Sequence, residues 1–228
     1  MTGMKYHEPV LLREAVEGLA IKEDGVYVDV TFGGGGHSRE ILKRLGPQGR
    51  LIAFDQDRDA LENAPEDSRF RLVEANFRYI KQYLKFYDVL KVDGILADFG
   101  VSSHQFDLAE RGFSTRMDAA LDMRMDRQGA LTARKVVNTY SFEALRKLLR
   151  DYGELRRAGA MAGALLRARD LKPIETTSGL NEALRPFLER GKENKTLARV
   201  YQAIRIEVNA ELEALEAFLL QTPELVRP

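Results

Sequence analysis

Cysteine is absent from all 228 residues, which excludes disulfides, thiolate metal ligands and cysteine nucleophiles from the chemistry of this chain. Net charge is absent too. The 35 Lys and Arg balance 35 Asp and Glu, an argument against a nonspecific polyanion coat that still permits a local basic face. No apolar run approaches the roughly 20 residues of a membrane span, and Met1 to Glu8 lacks the charged-then-apolar order of a secretory signal. Neither an internal repeat nor a low-complexity tract occurs, and His7 and His37 are too isolated to propose a metal site. These absences predict a cytoplasmic protein without a membrane partner, built as one domain or as a domain carrying an insertion.

What the chain does contain is a run of glycine. In Val28-Asp29-Val30-Thr31-Phe32-Gly33-Gly34-Gly35-Gly36-His37-Ser38, four glycines follow an apolar strand and precede an amphipathic helix. Glycines let the backbone turn sharply and approach a ligand, and the first turn of a helix offers unpaired N–H groups. A nucleotide-type cofactor site is the functional reading; a ligand-free strand-to-helix turn is the alternative.

From Tyr27 to Gly100 short apolar strands alternate with helical stretches, with strands predicted at Val26 to Val30, Leu51 to Asp55, Phe70 to Glu74 and Val92 to Asp98. Such alternation implies an α/β fold, a parallel sheet covered by helices on both faces, with ligands at the carboxyl ends of the strands. Ser38 to Leu45 carries one apolar stripe and stops at Gly46-Pro47. Thr31, Asp55, Asn76 and Asp98 then share one sheet edge. After Gly100 the pattern changes: residues 106–129 predict an irregular loop, and helices are predicted at Ser141 to Tyr152, Arg156 to Arg169 and Thr177 to Glu189, with Thr177-Ser178 as a cap. A long helix is predicted from Leu197 to Leu220, its stripe formed by Val200, Ile204, Val208, Leu212, Leu215 and Leu219.

Several constellations could carry chemistry. Asp55 ends the second strand roughly 20 residues after the glycines, where a carboxylate can accept hydrogen bonds from ribose hydroxyls. Gly33-x-Gly35-x-x-Ser38 lacks the third glycine of the dinucleotide fingerprint, which weakens a hydride-transfer reading; S-adenosylmethionine has no pyrophosphate and does not require it. Phe77 could stack beside an adenine or pack in the core. Asp98, followed by Phe99-Gly100-Val101-Ser102-Ser103-His104-Gln105, offers a carboxylate and a compact polar run where a target base could lie. Arg111, Arg116, Arg124, Arg127 and Arg134, with the ring of Phe113, suit single-stranded RNA, although internal ion pairs with neighbouring acids compete. Gln202, Arg205 and Asn209 share one polar helix face.

These segments resemble the bacterial small-subunit (16S) ribosomal RNA cytosine-N4 methyltransferases that use S-adenosylmethionine. The likeness is carried by His7-Glu8-Pro9-Val10-Leu11-Leu12, Asp29 through Ser38, Asp55-Gln56-Asp57, Asp93 through Gln105, Arg111-Gly112-Phe113-Ser114 and Leu121 through Asp126. Tyr152-Gly153-Glu154 and Tyr201 through Asn209 extend it. The resemblance implies a Rossmann-like class I methyltransferase sheet interrupted by a small helical domain. Residues 1–107 and 200–228 would bind S-adenosylmethionine, and residues 108–199 would recognise RNA. Cofactor contacts are implied for Gly33, Gly35, Gly36, His37, Asp55, Phe77, Asp98 and Gln105. Asp98 is the expected catalytic residue, with Ser102, Ser103 and Asn209 as further candidates, and Arg111, Phe113, Arg116, Arg124 and Arg205 are the expected RNA contacts.

The implied substrate is a cytidine in the decoding region of small-subunit ribosomal RNA, free or in the subunit particle. Arg156-Arg157 and Lys195 through Ala198 depart from the family pattern, and the chain stops before the family's last strands. The expectation is therefore an incomplete sheet with an uncovered edge and apolar face, in a fragment or in a shortened form that pairs with itself as a homodimer. Two other classes compete: an inactive RNA-binding or assembly protein on the same fold, and a nicotinamide-dependent oxidoreductase.

Overall fold

The computed structural model describes residues 9–228, so His7 and Glu8 of the opening motif lie outside the described residues. The described residues pack as two compact units, residues 9–104 with 212–228, and residues 105–211. In the first, α1 (Leu12–Gly18), β1 (Val26–Asp29), α2 (Gly36–Arg44), β2 (Arg50–Asp55), β3 (Phe70–Glu74), α3 (Ile80–Phe86) and β4 (Gly94–Leu96) alternate as the apolar pattern predicts. The strands are parallel in the order β3-β2-β1-β4, with Val28 opposite Ile52 on one side and Ile95 on the other. Alternate side chains supply two cores. Val28, Ile52, Phe54 and Val73 pack with Ile80 and Leu84 of α3 on one face. On the other, Tyr27, Leu51 and Leu96 meet Val16 of α1 and Ile41 and Leu42 of α2. A sheet buried on both faces needs near-continuous apolar strands, which explains the sequence pattern.

The second unit is helical: α4 (Ser103–Asp107) runs into it, followed by α5 (Ala133–Thr139), α6 (Phe142–Asp151), α7 (Ala158–Leu171), α8 (Thr177–Leu184) and α9 (Glu193–Asn209). Hydroxyl caps start three of them. Thr132 accepts from the Lys135 N–H at 3.2 Å, Ser141 from Ala144 at 3.2 Å and Thr176 from Gly179 at 3.1 Å. The cap of α8 is therefore Thr176 and not the expected Thr177. Thr177 is buried, its hydroxyl donating to the Met117 carbonyl at 2.7 Å and accepting from the Ala119 N–H at 3.0 Å. Of residues 106–129, predicted to be irregular, 112–129 form neither helix nor extended strand, whereas the end of α4 and a single helical turn at Ala109–Arg111 occupy the start.

The predicted long helix is two helices. Ala210 adopts a left-handed conformation with φ 48°, ending α9, and α10 (Glu211–Leu225) follows. The shared stripe fails for that reason: Val200 and Ile204 are buried, whereas Leu212 and Leu219 are 45% and 55% exposed and α10 instead buries Ala214, Phe218 and Leu225. Phe218 and Leu225 join the α3 face of the sheet, so the apolar face expected to lie bare is covered. The β4 side also gains a partner, because the Val92 N–H bonds the Leu225 carbonyl at 2.8 Å and the Arg227 N–H bonds the Val92 carbonyl at 2.9 Å. Among the described residues no helix is long and apolar enough to cross a membrane.

The contact boundary assigns residues 200–211 to the helical unit, since α9 is one continuous helix that packs on α5 and α6.

Candidate active site

A buried acid interrupts the apolar β1. Asp29 is fully buried; its carboxylate accepts the Ser38 hydroxyl at 2.7 Å and the Thr31 N–H at 3.0 Å. Burial pushes its pKa up, and these hydrogen bonds oppose the shift. The acid thus ties the end of β1 to the first turn of α2. Thr31 continues the link, its hydroxyl accepting the Asp98 N–H at 2.7 Å and so holding the segment beyond β4 against the segment beyond β1.

The glycine run sits over this network. Gly33 has φ 51°, and a Cβ there would meet only the Ser102 Cβ at 3.6 Å, so the turn needs glycine for its backbone angle. At Gly36 the reason differs: a Cβ would lie 2.3 Å from Pro9 Cγ, so glycine permits close packing within the chain. The Gly33 N–H donates to Asp55 Oδ2 at 2.8 Å, and the Asn63 amide donates to the Gly33 carbonyl at 3.2 Å. Arg39 braces the same turn through the Gly34 carbonyl at 2.6 Å and the Asn63 carbonyl at 2.9 Å. Among the described residues no side chain caps α2, and the buried His37 in its first turn has an Nε2 atom without a hydrogen-bond partner.

Asp55 also accepts the Asp57 N–H at 2.8 Å through Oδ1. Burial pushes its pKa up to about 6, despite the two backbone hydrogen bonds. Each oxygen retains a second lone pair. Phe77 follows β3 and is half-buried, its ring centroid 5.2 Å from Phe99 and 5.6 Å from Phe218. Phe99 is 44% exposed, so the aromatic cluster reaches the surface. Asp98 is exposed, and among the described residues its carboxylate has no partner.

The first unit therefore brings together Gly33, Gly35, Gly36, His37, Asp55, Phe77, Asp98 and Ser102 around the carboxyl ends of its strands. Ser103 lies in α4 and its side chain is outside the described ones. The remaining candidates belong to the second unit, Gln105 being buried at its start. Arg111 and Phe113 are buried as well, with Arg111 donating to the carbonyls of Arg124 at 2.9 Å and Met125 at 3.2 Å. Arg124 pairs with Asp122 at 2.7 Å, an internal ion pair of the kind weighed in the sequence, and Arg205 pairs with Glu211 at 2.7 Å. Asn209 spans the same loop, its amide accepting from the Met125 N–H at 2.7 Å and donating to the Met123 carbonyl at 2.8 Å. Arg116 is exposed.

Sequence reasoning overlooked Asp29, Asn63 and Phe99. A carboxylate inside Tyr27-Val28-Asp29-Val30 was a usable signal, because an acid in a buried strand requires hydrogen-bond partners. Asn63 gave none, since its link to Gly33 spans 30 residues.

The MraW methylase family matches residues 4–228. The chain belongs to that family. It is also 61% identical over 228 residues to a protein of Christiangramia forsetii named ribosomal RNA small subunit methyltransferase H, covering 100% of this chain and 76% of that protein. A protein of the same name from Parabacteroides distasonis is 53% identical over 98% of this chain and 73% of its own length. The methylase is an S-adenosylmethionine-dependent enzyme, and the nicotinamide-dependent alternative falls away. The strand edge fits that cofactor in kind. The orphaned His37 Nε2, the uncapped first turn of α2, the lone pairs of Asp55 and the half-buried Phe77 ring supply donors, acceptors and an apolar surface at one edge.

Proposed function

We propose that this methylase acts on the exocyclic N4 amine of a cytidine in the decoding region of small-subunit ribosomal RNA. The observation that carries the reading is Asp98, an exposed carboxylate without a partner among the described residues, on the edge that also holds Asp55. The relatives, named as small-subunit ribosomal RNA methyltransferases, support RNA as the substrate.

Bound at this edge, S-adenosylmethionine supplies an electrophilic methyl group on a sulfonium. Asp55 would accept the ribose hydroxyls, Gly33, Gly35, Gly36 and His37 would contact the cofactor, and Phe77 would lie against the adenine. A cytosine amine is a weak nucleophile because its lone pair is delocalised into the ring. Asp98, accepting an N–H hydrogen bond, would orient that amine and stabilise the positive charge that develops on nitrogen. The absence of cysteine opposes methylation at C5, which proceeds through a cysteine adduct. Ser102 and Ser103 remain proposed helpers, whereas Gln105 and Asn209 belong to the second unit. The helical unit is proposed to recognise the RNA, with Arg116, Arg127 and Arg134 its exposed members among the arginines picked from the sequence.

Nucleoside mass spectrometry of small-subunit RNA after incubation with the chain and cofactor tests this. N4-methylcytidine should form with the unsubstituted chain. It should fall at least 100-fold with Asp98→Ala, by the magnitude usual for an electrostatic group at a reacting centre, while calorimetry shows cofactor binding retained. Full activity of Asp98→Ala overturns the role of Asp98, and methylation at another atom overturns the N4 assignment.

A further inference from the structure

In a chain of zero net charge, four exposed cations on converging segments of the helical unit have no ion-pair partner among the described residues: Arg156, Arg157, Lys195 and Arg199. Three segments converge there. A Cβ on Gly153, in the loop between α6 and α7, would lie 3.0 Å from the Arg199 carbonyl on α9, and Gln202 bonds the Tyr152 carbonyl at 3.5 Å. Arg157 then reaches the segment before α9, its guanidinium carbon 4.9 Å from the centre of the half-buried Phe187 ring. Lys195 and Arg199 lie one turn apart on α9 and project from the same face.

Nearby acids are largely engaged by other cations. Asp151 pairs with Arg150 at 2.7 Å, Glu189 with Lys192 at 3.4 Å and Glu182 with Arg185 at 3.4 Å, leaving Glu154 and Glu193. A lysine in the first turn of α9 opposes the helix dipole, and among the described residues no carboxylate pairs with Lys195 to offset it. A local arrangement that costs stability without an internal gain indicates an external partner. Guanidinium groups match phosphate oxygens in geometry and charge, and stacking on Phe187 holds one of them ready for contact.

We propose that Arg156, Arg157, Lys195 and Arg199 form a face that grips the phosphate backbone of the RNA substrate. The inference rests on the reading that the substrate is ribosomal RNA. Phosphate contacts position a nucleic acid without reading its sequence, so the face would contribute affinity and salt dependence, not choice of base.

The test measures binding of the full chain to a small-subunit RNA transcript between 0.05 and 0.2 M salt. The triple variant R156A/R157A/R199A should bind on the order of tenfold more weakly near 0.15 M salt and show a log affinity against log salt slope flatter by about 2. Its thermal melt and cofactor affinity should be unchanged. The control K43A/K85A/K91A, which removes as many exposed charges from the first unit, should change affinity much less. If the triple variant does not melt cooperatively, R156E and R199E carry the same comparison singly. Unchanged affinity and slope overturn the face, including the case in which it serves an acidic protein. Failure of the unsubstituted chain to bind or methylate ribosomal RNA overturns the substrate reading, and this inference with it.

Discussion

At Asp55 one side chain performs two tasks. It pins the glycine turn through the Gly33 N–H at 2.8 Å, and its remaining lone pairs are proposed to receive the cofactor's ribose hydroxyls. Its carboxyl titrates at about 6 in the fold against an ordinary 3.8. The folded chain thus keeps a proton that the unfolded chain has released between those values, and this group's contribution to stability falls as pH rises across that window. Cofactor binding follows the opposite course. If the ionised carboxylate receives the ribose hydroxyls, affinity measured by calorimetry should be level above about pH 7 and fall about tenfold per unit below about pH 6. Asp55→Ala should bind weakly at every pH and lose that dependence. An unchanged pH profile in the variant would assign the dependence to another group.

The same residues show what the sequence made legible. Gly33, Asp55 and Asp98 stood out because each breaks an apolar pattern at the carboxyl end of a strand. Asp98 nevertheless lies beyond β4, which ends at Leu96, so its place depends on the Thr31 hydroxyl and not on strand pairing. Gly36 was singled out for a reason the structure replaces, because its missing side chain makes room for Pro9.

Among the elements, the break between α9 and α10 matters most. Periodicity continued through Ala210, but the chain turns left-handed there, and Asn209 sits at the last position of α9. Its amide clamps the loop through Met123 and Met125 and also bonds the Arg205 carbonyl at 2.9 Å. Asn209→Ala should therefore destabilise the helical unit by about 1–3 kcal/mol, the cost of leaving buried backbone groups unsatisfied, as read from urea unfolding. Cofactor affinity should be retained. A variant as stable as the parent would show that water satisfies those groups equally well. The helix starts were easier to read: Ser141 caps α6 through a contact three residues long, which sequence spacing encodes directly.

For the whole molecule, two units with separate interiors imply two local stabilities. If the cofactor binds only in the first, saturation at 100 times Kd should stabilise that unit by about 2.7 kcal/mol. Hydrogen exchange followed by mass spectrometry should show added protection in β1, α2, β2 and the segment after β4, and little in α6 and α7. Equal protection throughout both units would mean that they unfold as one.

By itself, the sequence determined the α/β alternation, the parallel sheet, the glycine turn, the acids at the strand ends and the family. These depend on local periodicity, turn chemistry and motif order, all of which are written along the chain. Only the tertiary structure decided that α10 returns to cover the sheet through Phe218 and Leu225, that Asp29 is a buried anchor, and that Arg111, Arg124 and Arg205 are engaged internally. It also brought Arg156, Arg157 and Arg199 together from separate segments. Such choices turn on which distant groups can satisfy a buried charge or close an apolar face, and spacing along a chain does not encode that competition.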